Sequence, residues 1–272
     1  MKISTTASLK RRRRYRIGDV FFLGRTRPNL RSACPILKWT CPFFPHSYEI
    51  LTLAHCFHYK IERGLVMDNN MISRREAYEE LLESVKACKA CRDRLDPSPV
   101  IWGNIDARIM QISQAPSLKV HQTQRPFNDA SGVKLRREWY QISDEMFYDP
   151  YNFYIASIGR CYPGKTPGGS DRKPPRKCAD LWLGKEMELV NNELYILIGG
   201  CAAAYFFPKE NFSELVFRDL EINGRQTFVL PHPSPANRRW FLKHPEFMEK
   251  RVCEVGEAVR RICRKKPASP EA

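Results

Sequence analysis

The apolar residues between positions 107 and 230 form short runs, and stretches with helical periodicity separate them. Four of these runs predict strands, at Ala107–Ser113, Phe153–Gly159, Leu194–Gly199 and Thr227–Leu230. Apolar residues three and four positions apart predict helices at Gly132–Ile142, Cys178–Asn191, Cys201–Phe207 and Pro245–Cys263. Strands that alternate with helices are typical of a parallel sheet covered on both faces. We therefore predict an α/β fold, a three-layer α-β-α sandwich with a central four-stranded, mostly parallel sheet.

A further helix is predicted upstream of the first strand. Ser73 and Glu76 have the spacing of a capping box, in which two side chains satisfy free backbone N–H groups at a helix start. The apolar residues that follow lie on one face of a helix, at Tyr78, Leu81, Leu82 and Val85. This helix is expected to deliver Cys88 and Cys91 to the domain.

Positive charge is concentrated near the N-terminus. The 272 residues carry a net charge of +15, and residues 1–66 contribute thirteen Lys or Arg against three Asp or Glu. Charge in a tail is weak evidence for nucleic-acid binding by the domain. We predict that residues 1–70 are a basic extension, either disordered, a targeting peptide or a stretch before the true start. Residues 71–266 are expected to form the functional domain, and residues 267–272 a tail.

The chain lacks the apolar runs that membranes and secretion require. A transmembrane helix needs about 20 consecutive apolar residues, and a secretory signal needs an apolar core behind a short basic start. We therefore expect a monomer without membrane contacts in the cytoplasm, although the Arg-rich, acid-poor N-terminus also allows an organelle. In such compartments the ten cysteines are expected to stay reduced.

Four cysteines have a spacing that suggests metal ligands. Cys88 and Cys91 are separated by two residues, and Cys161 and Cys178 by sixteen residues rich in Pro, Gly and basic side chains. Thiolates are soft ligands that suit iron–sulfur clusters or zinc, and a zinc ribbon would have a second short pair. The interpretations left open are a cluster, a zinc site and four unrelated buried thiols.

Two loop motifs follow predicted strands, where ligands bind in parallel sheets. The first comprises Gln114–Ser117 and Arg125–Gly132, and the second is His232–Trp240, which begins His-Pro-Ser-Pro. With the four cysteines, these motifs resemble the family 4 uracil-DNA glycosylases. That family carries Gly-Glu-Ala-Pro-Gly, Arg-Pro-Phe and His-Pro-Ser-Pro at corresponding places. The resemblance covers about residues 75–264.

The resemblance implies a DNA repair enzyme that flips uracil or a related deaminated base out of DNA and hydrolyses its N-glycosidic bond. It implies a structural [4Fe–4S] cluster on Cys88, Cys91, Cys161 and Cys178. Catalysis is expected from His232, which stabilises the departing uracil anion. The residues expected to bind the base are Phe127, by stacking, and Gln114, Ala115, Pro116, Asn128 and Ser157. Those expected to contact DNA are Ser234, Asn237, Arg238 and Arg239.

One departure from the family concerns the catalytic water. The family's Glu falls on Gln114, and an amide cannot act as a general base. Asp129 begins an Asp-x-Ser-Gly segment that resembles family 5, where this Asp serves the water. We therefore predict Asp129 as the catalytic carboxylate, with a helix cap as its alternative or additional role, and His121 as the second candidate. The departure also leaves open a weakly active damage sensor, or a glycosylase for hypoxanthine or mismatched thymine.

Overall fold

The computed structural model describes residues 71–264, and it contains one mixed sheet. The strands are β1 (Ile109–Ser113), β2 (Phe153–Ser157), β3 (Leu194–Ile198), β4 (Leu220–Ile222) and β5 (Arg225–Leu230). Their order in the sheet is β2-β1-β3-β5-β4. The pairs β1–β2, β1–β3 and β3–β5 are parallel, and only β4–β5 is antiparallel. The four predicted strands are thus confirmed, with ends shifted by up to two residues.

Helices cover both faces of this sheet. Every residue of β1, β2 and β3 is buried. Successive side chains of a strand point to opposite faces, so complete burial requires cover on each side. The three-layer α/β arrangement is confirmed.

The sheet has a fifth strand that the sequence analysis missed. β4 and β5 are joined by Asn223 and Gly224, whose φ angles are +53° and +71°. Asn-Gly with two positive φ angles is the signature of a tight hairpin, so this dipeptide was the available signal. The prediction of four strands was wrong because β4 is a three-residue edge strand with only Leu220 buried, too short to show alternation.

Helical segments account for most of the remaining chain. Residues 71–86 are helical and are called α1. The other helices are α2 (Leu118–Thr123), α3 (Ala130–Lys134), α4 (Asp144–Tyr148), α5 (Arg176–Leu189), α6 (Gly200–Phe206), α7 (Phe212–Phe217), α8 (Arg238–Lys243) and α9 (Val252–Arg264). Two π-helical turns, Leu135–Tyr140 and Phe247–Arg251, extend α3 and precede α9. A 3-10 turn, Pro235–Asn237, precedes α8.

The predicted helices are found, but the first one differs at its start. The face of Tyr78, Leu81 and Val85 is buried as expected. Residues 71 and 72 are already helical, so Ser73 lies inside α1 and the capping-box prediction was wrong. The short helices α2, α4, α7 and α8 were missed because five or six residues do not display a helical period.

Several predictions concern residues outside the described range. The basic extension of residues 1–70 and the tail of residues 267–272 stay predictions for this reason. Within residues 71–264, no helix is long and apolar enough to cross a membrane.

Candidate active site

One cleft opens at the carboxyl ends of β1 and β2, where the parallel sheet is expected to bind ligands. Its walls come from the loop after β1, the end of β2 and the loop after β5. The lining residues that were predicted for the site are Gln114, Ala115, Pro116, Phe127, Asp129, Ser157 and His232. The structure therefore brings together two motifs that lie about a hundred residues apart in the chain.

Phe127 reaches this cleft through an unusual backbone conformation. Its φ is +52°, in the left-handed region that residues with a side chain rarely adopt. The carbonyl of Phe127 accepts hydrogen bonds from Arg136 Nη1 at 2.6 Å and from the Tyr148 hydroxyl at 3.2 Å. Gly132 packs directly against it, since a Cβ at this position would lie 1.8 Å from the Phe127 oxygen. These contacts fix the strained residue and hence the position of its ring.

Arg136 is a positioning residue that the sequence analysis missed. Its side chain is buried, and its Nε also donates to the Asp144 carboxylate at 3.1 Å. The ion pair lowers the pKa of Asp144. An Arg within a predicted helix gives no sequence signal of this role, because its partners come from residues 127, 144 and 148.

His232 is held as a neutral ring with a defined tautomer. Its Nδ1 accepts a hydrogen bond from the Ser234 backbone N–H at 3.2 Å, so the proton of the neutral ring resides on Nε2. The Asn237 amide donates to the His232 carbonyl at 2.7 Å. Burial lowers the pKa of His232 below its ordinary 6.5, and the carboxylates of Asp129 and Asp171 only partly oppose this. At neutral pH the ring is therefore an uncharged hydrogen-bond donor.

Asp129 combines a structural contact with a place in the cleft. As the N-cap of α3, it accepts a hydrogen bond from the Gly132 N–H to Oδ1 at 2.9 Å. The predicted helix cap is thus present. The bond uses one carboxylate oxygen, and the side chain still lines the cleft beside His232.

Two of the predicted base-binding side chains are already engaged in hydrogen bonds. The Gln114 amide donates to the Arg172 carbonyl at 3.3 Å. The buried Ser157 hydroxyl donates to the Gly159 carbonyl at 2.6 Å, which leaves Ser157 as an acceptor toward the cleft. Both residues line the cleft as expected.

Asn128 and His121 do not line the cleft. The Asn128 amide donates to Thr123 Oγ1 at 2.7 Å. His121 lies on α2, with Nε2 3.5 Å from the Asp96 carboxylate and its ring beside Tyr162. The roles predicted for Asn128 in reading the base edge and for His121 in catalysis stay predictions, and the structure places both side chains outside the cleft lining.

The residues predicted to contact DNA divide into two groups. Ser234 and Asn237 brace His232 through the hydrogen bonds described above, a role that the sequence did not indicate. Arg238 and Arg239 are exposed on α8. Arg238 also lines a neighbouring groove with Lys134 and Ser234, so positive charge lies next to the cleft.

The four predicted ligand cysteines line one cavity. Cys91 and Cys178 are buried, and Cys88 and Cys161 are half-buried. The same cavity is lined by Pro97, Pro99, Pro175 and Trp182. The Arg160 backbone N–H donates to Cys178 Sγ at 3.3 Å. Burial raises the pKa of Cys161 to about 11 and also raises the pKa of Cys178.

The donor set of this cavity is four thiols, which suits a thiolate-bound metal group. Among residues 71–264, no three His, Cys, Asp or Glu side chains are grouped as one metal ion would require. In a cubane cluster each thiolate binds a different iron, so the four sulfurs stand further apart than around one zinc. The buried guanidinium of Arg160 also lines the cavity; its Nη2 pairs with the buried Glu186 carboxylate, while its Nε and Nη1 have no hydrogen-bond partner among the described residues. These two N–H groups can donate to an anionic group between the four sulfurs.

Comparison with known proteins defines the class. The model of the uracil DNA glycosylase superfamily matches residues 100–256, which include both cleft loops. The chain belongs to this superfamily, whose members are DNA glycosylases. Within it, the chain is similar to the type-4 uracil-DNA glycosylase of Thermotoga maritima, with 26% identity over 171 residues. That alignment covers 60% of this chain and 85% of the bacterial protein.

Proposed function

We propose that the protein hydrolyses the N-glycosidic bond of uracil, or of a related deaminated base, after the base is flipped out of DNA. The observation that carries this proposal is the convergence of Phe127 and His232 on one cleft at the carboxyl end of the sheet. A stacking ring and a neutral donor are what recognition of a flipped base and stabilisation of its anion require.

The cleft residues divide the work of holding the base. Phe127 stacks on the pyrimidine, and its fixed backbone keeps the ring in place without reorganisation. Ala115 and Pro116 form an apolar wall. The free lone pairs of Ser157 and the carbonyl oxygen of the Gln114 side chain accept hydrogen bonds from the base edge.

Bond cleavage follows from the protonation states in the cleft. As the bond between C1′ and the base breaks, its electron pair moves onto the uracil ring. The Nε2–H of His232 donates to the oxygen on which this charge collects, and a preorganised donor of this kind is worth about 3–4 kcal/mol. The carboxylate of Asp129 supports the positive charge on the sugar and orients the water.

DNA binding relies on the surface beside the cleft. Arg238 and Arg239 meet phosphates, and Ser234 and Asn237 contact the backbone as well as bracing His232. Flipping a base costs a few kcal/mol, which these phosphate contacts offset.

A [4Fe–4S] cluster bound by Cys88, Cys91, Cys161 and Cys178 completes the proposed enzyme. When bound, the cluster supplies a structural cross-link and no chemistry at the reacting bond. Its four ligands would join the turn after α1 to the loop after β2 and the first turn of α5.

The proposal is tested by base release from defined oligonucleotides. Purified full-length protein is incubated with single- and double-stranded DNA that contains one uracil, and alkali then cleaves abasic sites. We expect cleavage at the uracil position and none in a matched oligonucleotide with thymine. Parallel substrates with hypoxanthine or a thymine mismatch identify a different lesion.

A damage-sensing function predicts another result. In that case the protein binds uracil-containing DNA more tightly than undamaged DNA, but alkali reveals no abasic site with any substrate. This outcome would contradict the proposed hydrolysis, and Gln114 in place of the family's Glu would then explain the lost activity.

A further inference from the structure

The segment between Cys161 and Cys178 contains a small hairpin. Lys165 and Asp171 pair as an isolated antiparallel bridge, and the Arg172 N–H donates to the Gly164 carbonyl at 2.9 Å. At the tip, the Thr166 N–H donates to the Ser170 carbonyl at 2.8 Å. The Lys165 ammonium lies 2.8 Å from the Asp171 carboxylate. The hairpin therefore presents Asp171 in a fixed place.

This hairpin reaches the cleft. Asp171 lines the open groove that continues from the cleft, together with Gln114, Asp129 and His232. The Gln114 amide donates to the carbonyl of Arg172, the residue after Asp171, at 3.3 Å. Asp171 is also close enough to His232 for its charge to act on the ring. The groove thus contains two carboxylates, one from the α3 loop and one from the hairpin.

The two carboxylates differ in their other contacts. One oxygen of Asp129 accepts the N-cap hydrogen bond of α3. Within the described part of the chain, the Asp171 side chain pairs with the exposed Lys165 and is itself 39% accessible. It lines the same groove as Gln114, the position at which the sequence has an amide instead of the family's carboxylate. A base that accepts a proton from water has to be both ionised and accessible.

We propose that Asp171 is a catalytic residue, the general base that takes a proton from the attacking water. This inference rests on the proposed function and deepens it. The C1′–N bond breaks and its electron pair leaves with the base. The water oxygen bonds to C1′, and one water proton moves to the Asp171 carboxylate. The products are an abasic sugar with a C1′ hydroxyl, the base anion and a neutral Asp171, whose proton then returns to the base or to solvent.

The test uses the isosteric variant Asp171→Asn in the full-length protein. We expect the single-turnover rate of base release to fall about 100-fold, which is typical for loss of a general base. The affinity for DNA is expected to stay equal or increase, because the variant removes a negative charge from a groove that binds phosphates. Asp219→Asn makes the same change at a fully exposed site on the segment before β4 and serves as the control.

A second variant separates chemistry from structure. In the Asp171→Asn background, Gln114→Glu returns a carboxylate to the same groove. We expect the double variant to release base at least tenfold faster than Asp171→Asn alone. A purely structural role predicts no restoration, together with a lower melting temperature and weaker DNA binding.

The possible outcomes are distinguishable. A wild-type protein that releases no base overturns the proposed function and this inference with it. An active wild type whose rate is unchanged in Asp171→Asn overturns the inference alone. A loss of rate that tracks a loss of folding, without restoration by Gln114→Glu, also overturns it.

Discussion

Replacement of Gly132 by Ala should damage the cleft while it keeps every side chain that is proposed to take part in the reaction. The added Cβ would lie 1.8 Å from the Phe127 oxygen, while real Cβ atoms stay at least 3.0 Å from such neighbours. Residue 132 and the Phe127 carbonyl must therefore move apart by about 1.2 Å. Because Phe127 carries the stacking ring, this displacement is passed to the base.

The expected magnitude follows from what holds the Phe127 carbonyl. Arg136 donates to this oxygen from a buried side chain, and a buried donor that loses its partner costs about 1–3 kcal/mol. The Tyr148 hydroxyl keeps a second acceptor, the Pro126 carbonyl at 3.0 Å. We expect Gly132→Ala to lose about 3 kcal/mol of stability, or roughly 6–12 °C in melting temperature. A displacement of about 1 Å in a binding residue lowers the rate by about 100-fold.

Gly184 offers a matched control. It lies inside α5, and a Cβ there would meet nothing within 4 Å. Gly184→Ala should stabilise the protein by about 0.5–1 kcal/mol, since Ala is the better helix residue. Thermal melting and single-turnover base release are measured for both variants. If Gly132→Ala melts and reacts like Gly184→Ala, the idea that a close backbone contact positions Phe127 is refuted.

The remaining predictions concern His232 and the cysteine cavity. His232→Ala should lower the single-turnover rate by about 100–1,000-fold through loss of the Nε2–H donor. Burial depresses the pKa of His232 below 6.5, so the unfolded chain takes up a proton at a higher pH than the folded chain does. The stability of the wild type relative to His232→Ala should therefore fall as the pH drops from about 7.5 to 5.5. A difference in melting temperature that stays constant over this range would contradict this. Protein purified without oxygen should be brown, with about four irons per chain. Cys178→Ser should lose iron, whereas Cys253→Ser, at an exposed position outside the cavity, should keep it. A colourless wild-type protein without iron would contradict the prediction of a bound cluster.

The sequence by itself determined most of the fold. The buried strands are mostly apolar over five residues, and the long helices have an apolar face, so the local pattern was enough to place them. The strand β4 was missed because an edge strand of three residues buries only one side chain, although Asn223-Gly224 marked its turn. The capping box at Ser73 was wrongly predicted because a capping sequence expresses only a local preference. Here the helix continues through Ser73 in spite of that preference.

The sequence also indicated that the two loop motifs follow strands of the sheet. Only the tertiary structure decided which of their side chains line the same cleft. Phe127 and His232 meet because the carboxyl ends of β1 and β5 lie at one edge of the sheet, whereas Asn128, next to Phe127, faces Thr123 instead. Asp171 lies in a segment that sequence reasoning assigned to the cysteines alone. The hairpin that holds Asp171 is local, but its contact with Gln114 joins residues that are 58 positions apart in the chain. Proximity of this kind arises from packing, and no local pattern encodes it.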